Sequence, residues 1–131
     1  MNKSRSELRE KCMIILYQEE MFKKSKYESN LEDLITENLD IDNEFVKEIV
    51  YGVITHNNEI TELANLYLKD WDLNRIDKTG AAILKMAIYE LKFTDTPQVV
   101  VINEAIELAK KYSDDNVRKI INAVLDRIIK E

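Results

Sequence analysis

Apolar residues recur along this chain every three or four positions, the period of a helix that buries one face. Leu8, Cys12, Ile15 and Leu16 hold one such stripe. It follows Ser4 and Glu7, which carry the three-residue spacing of a capping box, and it runs to the Lys23-Lys24-Ser25 break. Ser29 with Glu32 repeats the signal ahead of a short helix through Leu39. Asp42 is placed to cap a third helix that turns Val46, Ile49, Val50 and Val53 inward. The pattern blurs at His56-Asn57-Asn58 and resumes with Ile60, Leu63, Ala64 and Tyr67, which predicts a kink or break near Asn57.

Three more stripes follow Trp71 and Arg75. Ile83, Leu84, Ala87, Ile88 and Leu91 form the first. Thr96-Pro97 reads as an N-cap with proline at the first helical position, leading into Val101, Ile102, Ala105, Leu108, Ala109 and Tyr112. Val99 to Ile102 alone could be a strand, but the stripe beyond it favours a helix start. Ser113 opens the last helix, where Val117, Ile120, Ile121, Val124, Leu125, Ile128 and Ile129 keep strict spacing. Six or seven amphipathic helices can bury their stripes only against each other. The predicted fold is an all-α bundle.

Composition agrees and removes whole classes of function. The 131 residues include two Gly, one Pro, one Cys and one His. A sheet protein needs turn residues at short intervals, and this chain lacks them. One Cys forbids an intrachain disulfide, and one Cys with one His cannot build a zinc finger. Gly52 and Gly80 alone cannot make a glycine-rich phosphate loop. The longest apolar run, Cys12 to Tyr17, is six residues, against the ~20 of a membrane span. It is also shorter than a signal-peptide core and is followed by Gln18-Glu19-Glu20. These features predict a cytoplasmic protein of one domain over residues 1–131, with no membrane association and no cofactor.

Charge is unevenly spread. The net value is −6, yet residues 1–27 carry seven Lys/Arg and four Glu, whereas residues 28–62 carry ten acids and one Lys. A basic start on an acidic body can still grip phosphates, because exposed charges beyond ~8 Å are largely screened at cellular salt. Arg5 and Arg9 are neighbours on one helix face, and Lys119 and Asn122 share one side of the last helix, roughly opposite its apolar stripe. Arginine binds phosphate through a planar fork, and Asn reads base edges, although exposed helices carry the same residues without function.

No catalytic constellation competes with that reading. Cys12 falls on an apolar stripe and is read as core. His56 has no second ligand nearby and is read as surface or capping. Asp40, Asp42 and Glu44 begin like a calcium loop, but Phe45 stands where the turn requires Gly. Asp114-Asp115 complements the dipole of a helix start. The expectation is a non-enzyme.

Three runs together carry a family resemblance: Ala82-Ile83-Leu84-Lys85-Met86-Ala87-Ile88-Tyr89-Glu90-Leu91, then Val101-Ile102-Asn103-Glu104-Ala105-Ile106-Glu107-Leu108-Ala109-Lys110 after Pro97, and Ile121-Asn122-Ala123-Val124-Leu125-Asp126. With Arg9-Glu10, Leu16-Tyr17, Trp71 and Arg75, their order and spacing resemble the NusB family of bacterial transcription antitermination factors across essentially the whole chain. The resemblance implies two packed helical subdomains, about residues 1–70 and 71–131. It implies a partner, the small-subunit ribosomal protein NusE. The pair would hold the single-stranded boxA element of ribosomal RNA leaders within the RNA polymerase antitermination complex and support processive transcription. Carried over by position, it assigns RNA contact to Lys3, Arg5, Arg9 and Lys11 at the first helix and to Lys119 and Asn122 on the last. It assigns partner contact to Glu90 and Lys85.

Departures from the family pattern change the expected strength. Ser6, Glu7 and Leu8 thin the basic motif. Ile120 stands where the family has Phe, removing a stacking platform worth ~1–3 kcal/mol per base. Ala123 replaces Gly. Weaker RNA binding alone and greater dependence on the partner are expected. Two other readings remain at this level: a helical adaptor that binds protein with reduced RNA affinity, and a NusB-like domain detached from an rRNA cytosine methyltransferase.

Overall fold

The computed structural model describes residues 4–24, 30–38, 43–68 and 76–131. Seven helices and no strand occur among the described residues: α1 Arg5–Lys24, α2 Leu31–Asn38, α3 Glu44–Thr55, α4 Asn57–Tyr67, α5 Lys78–Phe93, α6 Gln98–Tyr112 and α7 Asp115–Lys130. Lys3, Ser29, Leu39, Asp42, Trp71 and Arg75 lie outside the described residues.

Helix boundaries follow local chemistry. At the start of α1, Ser4 and Glu7 form the expected reciprocal box: the Ser4 N–H donates to Glu7 Oε1 (3.3 Å) and the Glu7 N–H to Ser4 Oγ (3.2 Å). Elsewhere the cap falls one residue from the expected position. Asn43, next to the expected Asp42, accepts from the Val46 N–H at the start of α3. Asp114, not Ser113, accepts from Val117 at the start of α7, while Ser113 closes α6. Asn30 takes the Glu32 N–H before α2. Pro97 has φ −56° but ψ 138°, so it is the residue before α6 rather than its first, and its carbonyl accepts from Val100 and Val101. In each case the expected and observed positions are adjacent in the sequence.

The predicted stripes become the core. Buried side chains from every helix form one continuous hydrophobic cluster. Most helices bury a single face, but α5 is buried from Gly80 to Glu90 with only Lys85 partly exposed. A helix apolar nearly all round belongs in the middle of a bundle, and α5 packs on α1, α3, α4, α6 and α7. Arg9 meets Glu90 near one end, while Lys85 faces Glu19 and Glu20 toward the other, so α1 and α5 run antiparallel. The predicted break at Asn57 is real: His56 separates α3 from α4.

Both glycines mark close approach. A Cβ on Gly52 would collide with the Tyr89 ring, and one on Gly80 would meet Val117 Cγ1 at 2.6 Å. Gly52 thus lets α3 reach α5, and Gly80 lets α7 reach α5.

Candidate nucleic-acid interface

The first turns of α1 present two arginines with opposite fates. Arg5 is exposed, and its guanidinium carbon lies 4.1 Å from the centre of the Phe45 ring on α3. Laid on a ring face, a guanidinium keeps its in-plane N–H donors free for phosphate or base. Arg9, one turn later, is only 5% exposed. Its Nε donates to Glu90 Oε1 (3.0 Å) and Oε2 (3.2 Å), and one Nη stands 3.9 Å from Glu104. Glu90 is 3% exposed.

Arg9 and Glu90 therefore leave the exposed set in which the family resemblance placed them. Each stays buried because the other is there. Removing one partner of such a pair leaves an uncompensated interior charge, which costs ~3–5 kcal/mol. Burial holds the Glu90 carboxyl above the ordinary carboxylate range, against the pull of the Arg9 guanidinium. Around this pair, Ser6 Oγ donates to Glu104 (2.6 Å), while Lys111 and the Tyr112 hydroxyl donate to Glu10 (2.9 and 2.8 Å). These polar ties fix the start of α1 to α5 and α6 and hold Arg5 at the surface. Lys11 is half-buried.

Lys119 and Asn122 are both exposed on α7, as their spacing predicted, with Ile120 half-buried between them. Helix α7 packs on α4, α5 and α6, and α1 packs on α2, α3, α5 and α6. The two polar surfaces are thus carried by helices bridged through α5 and α6.

Lys85 and Glu90 do not share a surface. Five residues along a helix is ~140° of rotation, and Lys85 opens instead into a groove beside the end of α1 and the start of α4. What this end of α5 does present is aromatic: the Phe93 ring is at the surface, with Tyr89 buried beside it. Tyr89 and Phe93 stack with centroids 5.4 Å apart, and His56 stacks on Phe93 at 4.1 Å. Next to them lies a shallow groove lined by Ile60, Leu63, Leu66, Ile88 and Phe93, rimmed by Glu59, Glu62 and Lys92. Leu66 is 70% exposed and Phe93 40%. Sequence reading missed this patch because Leu66 sits off the α4 stripe. A lone leucine off-stripe beside an acidic run was the available signal.

Buried Cys12 packs in the core, and burial pushes its thiol well up, as expected of a structural cysteine. No group of three His, Cys, Asp or Glu suited to a metal occurs among the described residues.

Residues 6–130 match the family model described as the NusB family. A transcription antitermination protein NusB of Macrococcus caseolyticus is 42% identical over 132 residues, covering 97% of each chain. The solved structure of T. maritima NusB superposes with a TM-score of 0.86 at 34% identity, covering 100% of this chain and 94% of that one. A crystal structure of antitermination factors NusB and NusE in complex with dsRNA is similar at a TM-score of 0.81 and 25% identity, covering 96% of both chains.

Proposed function

The chain belongs to the NusB family of non-catalytic transcription antitermination factors, and on that premise we propose that it holds the single-stranded boxA element of ribosomal RNA leaders jointly with NusE, supporting processive transcription. The observation that carries the RNA assignment is Arg5, exposed at the start of α1 and seated on Phe45. That contact is worth ~0.5–1 kcal/mol and reduces the freedom lost when the guanidinium takes a phosphate. By position in the family pattern, Lys3 and Lys11 are assigned further RNA contact, as are Lys119 and Asn122 on α7. Arg9 acts through position, holding α1 in place. For NusE we assign the apolar groove around Leu66 and Phe93, whose Glu59 and Glu62 rim suits a basic ribosomal protein.

The test is a titration of labelled boxA RNA with this chain, with NusE, and with both. Tighter binding by the pair than by either alone is the expected result. Arg5→Ala weakens RNA binding and lowers the slope of log affinity against log salt by about one. Unchanged affinity and slope in that variant would remove α1 from the RNA surface. One observation favours a second reading, a purely protein-binding adaptor: burial of Arg9 leaves fewer free cations at α1. Retention of NusE with no gain in RNA binding would select it.

A further inference from the structure

The end of α1, the start of α4 and the start of α5 enclose a groove of about 400 Å³ that neither proposed surface uses. Arg5 and Lys23 sit ~27 Å apart along α1, at 1.5 Å per residue. Lys23, Lys78 and Lys85 line the groove with Asn57, Asn58 and Thr61. A fourth ammonium, that of Lys24, stands close enough to Lys78 to lower its pKa. Glu19 and Glu20 share the lining and both face Lys85. Four positive charges thus meet two negative ones, and none of the six closes an ion pair with another described residue.

We propose that this groove is a phosphate-binding site, filled by the backbone phosphate of an RNA strand or by a free phosphate or phosphomonoester. Crowded ammonium groups repel one another, and an anion between them turns that repulsion into attraction. Contact with Lys24 pushes the Lys78 ammonium down from its ordinary value, and burial does the same to Lys85 against the pull of Glu20 and Glu19. The amides of Asn57 and Asn58 and the Thr61 hydroxyl supply neutral donors for the further oxygens of a tetrahedral anion. The proposal stands without the boxA reading, since charge and donor type alone define the occupant.

The test compares melting of the full chain in sodium phosphate and in sodium chloride at equal ionic strength. Wild type melts higher in phosphate, and the Lys78→Gln plus Lys85→Gln variant loses that gain, whereas Lys130→Gln, at an exposed lysine outside every surface described above, keeps it. The melting point of each variant in chloride is the baseline from which its phosphate response is read. The single variants, each losing part of the gain, give a second readout. Titration of a short RNA with the same proteins separates the sources. A weaker affinity with a salt slope reduced by about two identifies backbone phosphate. Unchanged RNA affinity alongside a lost phosphate response identifies the free anion. No phosphate-specific gain in wild type, or an equal gain in the double variant, overturns the site.

Discussion

At the residue scale, what separates Arg5 from Arg9 is one turn of helix and the carboxylate of Glu90. Both lie on the same side of α1 and both approach Phe45, at 4.1 and 5.3 Å. Only Arg9 meets an acid in the interior. Glu90→Ala or Arg9→Ala should each lower stability by ~3–5 kcal/mol in urea unfolding, since each strands a buried charge. Arg9→Met combined with Glu90→Leu should recover most of that loss, because replacing both charges by apolar groups removes the desolvation penalty. Equal losses in the double and single variants would mean that the pair does not hold α1 to α5. The pair joins residues 81 positions apart, so no local pattern announces it. The hint was present in each half: Arg9 interrupts a face that also carries Cys12 and Met13, and Glu90 interrupts the apolar run from Met86 to Leu91 in α5.

At the scale of elements, stripes were legible and neighbours were not. Periodicity reports which side of a helix is buried, so the predicted inward residues of α3, Val46, Ile49, Val50 and Val53, all lie in the core. It does not report what that side touches. The central place of α5 could be read only from its apolar residues beyond the stripe, Ala81, Ala82, Met86 and Tyr89, which are buried on its other faces. The tie between α1 and α6 gives a test in pH. The hydrogen bond from Lys111, ahead of that from Tyr112, holds the Glu10 carboxyl below its ordinary 4.5. A carboxyl lowered on folding stabilises the folded state above its unfolded pKa, and that contribution fades as pH falls through the folded value. Wild type should therefore lose more stability than Glu10→Gln between neutral pH and below 4.5. Parallel pH–stability curves for the two proteins would show that this tie contributes nothing.

At the scale of the whole molecule, three surfaces point different ways from one core: the Arg5 end of α1, the apolar groove of α4 and α5, and the lysine-lined groove at the far end of α1. If the Leu66 groove seats NusE, Leu66→Ser should weaken NusE capture while leaving the melting temperature within a degree or so, because an exposed substitution typically moves stability by under ~0.5 kcal/mol. RNA binding measured without NusE should not change. Loss of RNA binding in that variant, with NusE capture intact, would transfer the groove from protein to RNA.

The all-round burial of α5 also bears on how sequences of this kind can diverge. One residue inserted in the middle of α5 rotates everything beyond it by ~100°. That single change would swing Glu90 away from Arg9, Tyr89 away from Gly52 and Ile88 out of the core together. Length variation is therefore expected in the connections and helix ends, with the span from Gly80 to Glu90 held to a fixed count even where its side chains change.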